Sequence, residues 1–149
     1  MNDILVRQAT EDDLPTMGRL LEELVRAMDD MAGIDVGAAV RTCGGLLNAV
    51  GSHLLVAEVD GKAVGFVHFA VRQTILHQGP SALIDELVVA DEYRGKGAGK
   101  ELVLAVMEKC RQLGCCEVEV STEKTNMRAR EFYENCGFEE KGLLFEAEL

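Results

Sequence analysis

One run, residues 83 to 121, constrains this chain more than any other: a strand, a glycine-rich turn, an amphipathic helix and a second strand in unbroken succession. In "ADEYRGKGAGKEL" (90–102), Gly95, Gly97 and Gly99 alternate with Lys96 and Ala98, flanked by Arg94 and Lys100. "SALIDELVV" before it reads as a strand. After it, Leu102, Val103, Val106, Met107, Cys110 and Leu113 line one helical face, which Gly114 stops. "CCEVEVS" then alternates Cys116, Val118 and Val120 as a strand. Strand, helix and strand in this order form a βαβ unit, whose two strands lie parallel. The chain must therefore build a sheet containing a parallel pair, with helices covering it.

The remaining segments supply antiparallel strands. "ILVRQAT" reads as a first strand through Ile4 and Val6. Thr10 caps a helix with Asp12 and Asp13 in its first turn, and Leu14, Met17, Leu20, Leu21, Leu24 and Val25 recur at helical spacing. "DDMAGIDVG" (29–37) reads as a loop, and residues 38–50 as a weaker helix that Gly44-Gly45 interrupts. Asp60-Gly61, between two β-rich runs, is a strong hairpin signal. Asn126 opens a short helix carrying Ala129, Phe132, Tyr133 and Cys136, which Gly137 ends; "GFEE" and "LLFEAEL" are expected as two final strands. The class is α/β with a mixed sheet, and 149 residues at 48% hydrophobic are expected to form one domain, 1–149, with a core needing no staples.

Charge excludes some functions. With 26 Asp and Glu against 15 Lys and Arg, the chain repels polyanions overall, so no nucleic-acid partner is expected. No apolar run approaches the ~18 residues of a membrane span, so no membrane partner is expected either. The five cysteines are odd in number and lack zinc-like spacing, so they read as reduced, mostly buried residues of a cytoplasmic protein, and no metal is expected. Against this acidic background, Arg94, Lys96 and Lys100 beside three glycines point to a small anionic ligand.

Uncovered backbone amides ahead of a helix N-terminus suit a phosphate. Two phosphate motifs fail here. A Walker A loop needs Ser or Thr where Glu101 stands and Gly where Arg94 stands, and a dinucleotide fingerprint needs a third glycine where Lys100 stands. What remains, Arg94-x-x-Gly97-x-Gly99 after a strand ending "ELVV", resembles the acetyl-coenzyme A loop of the GCN5-related N-acetyltransferases. "NMRAREFYENCGF" (126–138) is similar to that family's second signature, with Asn126, Ala129, Tyr133 and Gly137-Phe138 in the matching places.

The resemblance implies a largely antiparallel mixed sheet with a splayed parallel strand pair, flanked by about four helices. It implies acetyl-CoA as co-substrate and an N-acetyltransferase acting on a small-molecule or peptide amine by direct attack in a ternary complex, with a non-catalytic acyl-CoA sensor as the alternative. The splayed strands are expected at 83–89 and 116–121, with Leu87, Val88 and Val89 along the pantetheine arm and an oxyanion donor at the amide of Val88 or Val89. The pyrophosphate is expected on Arg94, Gly95, Lys96, Gly97, Ala98, Gly99 and Lys100, with Asn126 and Ala129 also at the coenzyme. A homodimer through the final strands is a further expectation of the resemblance.

Tyr133 matches the family tyrosine that protonates the departing thiolate. An amine acceptor of pKa ~10.4 needs roughly 4–5 kcal/mol to lose its proton at neutral pH, which calls for a carboxylate base. Glu86 resembles the glutamate often found on that strand. Asp85 is the alternative, since simple alternation lets only one of the two face the site. His68 and His77 are further candidates. Asp29, Asp30 and Asp35 offer either an acidic rim for a cationic acceptor or plain solubility.

Overall fold

The Asp60-Gly61 pair reverses the chain as expected, both residues taking positive φ (52° and 75°). It joins β2 (Ser52–Val59) to β3 (Lys62–Arg72), the centre of a five-stranded sheet of order β1-β2-β3-β4-β5. β1 (Ile4–Gln8) lies antiparallel to β2, and β4 (Ser81–Val89) antiparallel to β3. Among the described strands only β5 (Glu117–Val120) runs parallel to its neighbour, as the βαβ order requires. The computed structural model describes residues 3–28, 31 and 33–149. Asp29 and Asp30 lie outside the described residues.

Helices cover both faces. α3 (Ala98–Gln112) lays Leu102, Val106 and Cys110 on Val67, Phe69 and Ile84. On the opposite face α1 (Leu14–Ala27) and α2 (Val36–Leu46) pack Met17, Leu20 and Cys43 against Leu54, Phe66 and Val88. Each large apolar side chain so buried contributes about 1.5–3 kcal/mol. α4 (Met127–Asn135) follows β5. Among the described residues no helix is long and apolar enough to cross a membrane.

The entry to α1 is pinned by charge. Arg7 of β1 makes two 2.8 Å contacts to the Asp13 carboxylate and a third of 2.8 Å to Glu58, while the Thr10 amide donates to Asp13 at 2.8 Å. Asp13 is buried, and the Arg7 hydrogen bond holds its carboxyl below the usual range.

Four expectations need correction. α2 starts at Val36 and runs through Gly44-Gly45, because the apolar stripe packed on α1 outweighs the ~1 kcal/mol penalty of each helical glycine. Asp35 is its N-cap, accepting from the Ala38 amide at 3.1 Å, and so serves the helix. Cys116 precedes β5 and is exposed, whereas Cys43, Cys110 and Cys136 are buried. Residues 138–149 form no strand: "GFEE" and "LLFEAEL" find no ladder partner among the described residues, and Leu143, Leu144, Phe145 and Leu149 stand exposed.

Candidate active site

The parallel pairing is short. It spans Ser81↔Glu117 to Ile84↔Val120, yet β4 continues to Val89, so the last five residues of β4 have no β5 partner on that edge. Ladder geometry tells which amides face this opening. The Ala90 amide donates to Val64 at 2.8 Å, so the Gly65↔Val89 pair is a non-hydrogen-bonded one. The N–H and C=O of Val89, and of Leu87 two residues back, therefore point away from β3 into the gap. The Val88 amide points to β3 instead, which leaves Val89 as the outward donor of the two expected.

The chain leaves β4 through a 3-10 turn, Asp91–Tyr93, and enters the glycine loop. Gly95 and Gly97 adopt φ of 72° and 95°, values that a side chain disfavours, and Gly97 is the N-cap of α3. Among the described residues, the amides of 95–100 make no backbone hydrogen bond; the first recorded in the helix is Glu101 to the Gly97 carbonyl. Their donors and the positive end of α3 thus form a cradle for a polyanion. Arg94 is held beside it by Asp91 at 3.2 Å and the Val89 carbonyl at 3.4 Å, and Lys96 Nζ sits 5.5 Å from the Tyr93 ring centre. Lys100 is exposed. A glutamate of α1, Glu23, accepts from the Asp91 amide and ties the loop to the opposite helical layer.

Gly99 is where loop, strand and α4 meet. A Cβ there would lie 3.3 Å from Phe132 and 3.7 Å from Val89, so the absent side chain sets how closely α4 approaches. Asn126 caps α4 through Ala129, whose amide donates to Oδ1 at 3.0 Å. Tyr133 packs edge-on to Phe132 and Phe138, with ring centres 5.1 and 5.6 Å away. Burial, with the nearby Cys136, pushes its phenol up and keeps it protonated at neutral pH.

The two carboxylates of β4 share one face, contrary to simple alternation. The β3–β4 register shifts between His68 and Phe69: His68 pairs with Glu86 but Phe69 with Ile84, leaving Asp85 as the extra residue of a bulge. Asp85 and Glu86 therefore both reach His68 Nδ1, at 3.7 and 3.0 Å. His68 Nε2 lies 2.9 Å from Ser52 Oγ. The hydrogen bond to Glu86 pushes the imidazole up against the effect of burial, with the charges of Glu86 and Asp85 adding. Burial and the Glu86 charge push the Asp85 carboxyl up. Glu86 keeps 54% of its side chain exposed while His68 keeps 12%, so the histidine orients a carboxylate that remains open to a reactant. Among the described residues no hydrogen bond joins Tyr133 to this cluster.

Residues 18–138 match the acetyltransferase (GNAT) family. The chain belongs to that family. An uncharacterised N-acetyltransferase of Archaeoglobus fulgidus is 33% identical over 129 residues, covering 86% of this chain and 88% of the relative. The glucosamine 6-phosphate N-acetyltransferase of Trypanosoma brucei brucei is 28% identical over 139 residues, 91% of this chain and 89% of the relative. An aminoglycoside N-acetyltransferase in complex with CoA shares the fold, with a TM-score of 0.84 at 22% identity over 99% of this chain and 96% of its own. The protein is an N-acetyltransferase, and the mixed sheet with one parallel pair and four helices is the fold of its family.

Sequence reasoning missed Ser52 and Glu23 in this acetyltransferase. Neither carries a local signal, because each reaches the site across the sheet or between layers. His77 lies elsewhere, 3.1 Å from Glu117 and bonded to Thr74. Two clusters among the described residues bring three metal-ligating groups within 4.8 Å of one another: His68, Asp85 and Glu86, and His77, Cys116 and Glu117. Contacts already described engage the first set. In the second, His77 pairs with Glu117 while the Cys116 thiol donates to the Pro80 carbonyl at 3.4 Å.

Proposed function

We propose that this protein transfers the acetyl group of acetyl-CoA to a primary amine by direct attack in a ternary complex, in the cytoplasm. The observation that carries the reading is the unpaired end of β4, whose outward amides lead without a break into the glycine cradle at the start of α3. Acetyl-CoA supplies a thioester carbonyl. The amides of residues 95–100 take its pyrophosphate, with Arg94, Lys96 and Lys100 adding charge. Leu87, Val88 and Val89 lie along the arm, and the outward Val89 amide donates to the oxygen that becomes negative during attack. Asn126 and Ala129 fix α4 so that Tyr133 faces the sulfur. Glu86, steadied by His68, accepts the amine proton directly or through water, and Tyr133 delivers one to the thiolate as the C–S bond breaks. Five free thiols agree with a reducing compartment.

Titration calorimetry of acetyl-CoA against the wild type and Gly97→Trp tests this reading, with circular dichroism as the folding control. Binding that the folded variant loses is the expected result. A wild type that does not bind acetyl-CoA refutes it.

The homodimer belongs to the same proposal. Leu143, Leu144, Phe145 and Leu149 are exposed apolar residues of a C-terminal segment without a ladder partner among the described residues, and this is the surface proposed to meet a second copy. Light scattering of full-length protein and of a chain ending at residue 141 should give a dimer and a monomer.

A further inference from the structure

A cavity of about 250 Å³ opens between α1, α2 and the sheet and ends at the carboxylate assigned above as the base. Leu21 of α1, Ala39, Cys43 and Leu46 of α2, and Leu54 and Phe66 of the sheet form its walls. The polar lining is confined to Thr42, His68 and Glu86. The Thr42 hydroxyl donates to the Ala38 carbonyl at 3.1 Å, and His68 is engaged by Ser52 and Glu86. Burial pushes the Cys43 thiol up, so that wall is neutral at physiological pH. Among the described residues no lysine or arginine lines the space.

These walls discriminate by chemistry. A sugar hydroxyl set against Leu46 or Phe66 finds no partner, and each buried unpaired hydroxyl weakens binding by roughly tenfold or more. Among the described residues a phosphate meets Glu86 and no lysine or arginine, and the one imidazole in the lining, His68, is already engaged by Glu86 and Ser52. A hydrocarbon or aromatic body loses nothing in such a space, and an ammonium group at its end meets Glu86, the one carboxylate in the described lining. The volume lies below the ~300–1,000 Å³ of sites for drug-sized ligands, so the body is compact.

We infer that this cavity is the acceptor site and that it takes a small primary amine borne on an apolar body, in preference to an amino sugar or a sugar phosphate. The inference rests on the acetyl-transfer reading above. In that reaction the amine nitrogen bonds to the acetyl carbon and the C–S bond breaks. The amine proton passes to Glu86, and free CoA leaves as the thiol.

Initial rates of thiol release, measured with acetyl-CoA and full-length protein, should be compared for hexylamine, 2-phenylethylamine, glucosamine 6-phosphate and kanamycin. The expected result is a kcat/KM roughly 100-fold or more higher for the two apolar amines, as two or more unpaired hydroxyls imply. Ala39→Trp, at a half-buried helical position, fills the cavity. It should raise the KM of the apolar amines at least tenfold while the acetyl-CoA Kd from calorimetry stays within twofold. Faster turnover of either sugar, an unchanged KM in Ala39→Trp, or acetyl-CoA binding without turnover of any apolar amine overturns the inference and leaves the coenzyme site standing. Failure of the wild type to bind acetyl-CoA instead overturns the acetyl-transfer reading and this inference with it.

Discussion

The two sides of β4 are built by opposite means. Toward α3, the cradle consists of backbone groups from one continuous stretch, residues 87–100, shaped by positive φ at Gly95 and Gly97 and by the close approach at Gly99. Toward α1 and α2, the cavity consists of side chains drawn from five separate elements, with no run of sequence to mark it. A backbone site tolerates exchange of its side chains but not the addition of bulk. A side-chain site is the reverse, since each group is a separate contribution to chemistry or fit.

That contrast fails if one substitution disturbs both sides alike. The largest effect is expected from Glu86→Gln and Tyr133→Phe, each lowering kcat by about 10²–10⁴-fold while the acetyl-CoA Kd holds. Steady-state kinetics paired with calorimetry separates the two quantities. A parallel loss of coenzyme affinity in Glu86→Gln would mean that the two sides act as one site.

Next in size is a change remote from both. Arg7→Ala leaves the buried Asp13 carboxylate without its partner. Urea denaturation should show a loss of about 2 kcal/mol, less than the 3–5 of a fully buried pair because the Arg7 side chain is 34% exposed. The pH dependence has a defined sign. The Asp13 pKa is lowered on folding, so its contribution is present above the ordinary value of 3.8 and disappears as pH falls through the folded value. Arg7→Ala should flatten that acid limb. His68 behaves oppositely: its pKa is raised, so its contribution is full below 6.5 and is lost as pH rises through the folded value. Glu86→Gln should flatten this second limb, and unfolding followed between pH 5 and 9 reads it.

The smallest effect sharpens the contrast most. Lys96→Ala removes an exposed charge from the cradle and leaves the backbone donors in place, so acetyl-CoA affinity should fall only about threefold. A loss comparable to that of Gly97→Trp would transfer the cradle's work from backbone to side chain.

Much of the acetyltransferase was legible before its structure. The Asp60-Gly61 hairpin, the Asn126 start and the βαβ unit all follow from dihedral preference, capping and periodicity, whereas Thr10 heads only the 3-10 turn Glu11–Asp13, and Asp13 is the N-cap of α1. The glycine loop was legible for the same reason. What escaped reading shares one character. The α2 boundaries depended on packing against α1 and not on its two glycines. The C-terminal strands failed because a strand is defined by a partner, and residues 138–149 have none among the described residues. Ser52 and Glu23 act over 16 and 68 residues of separation, distances at which sequence carries no pattern.

By itself, then, the sequence determined the parallel pair, the glycine loop ahead of α3 and the tyrosine helix, since each rests on local backbone geometry that a few residues dictate. Tertiary structure alone decided which groups share a face. A single extra residue at Asp85 turned an expected choice between two carboxylates into a joint site with His68. The place where β5 pairing stops decided which amides of β4 are free. Register and bulge arise from fitting whole strands and two helical layers together, and that sum is not written in any one segment.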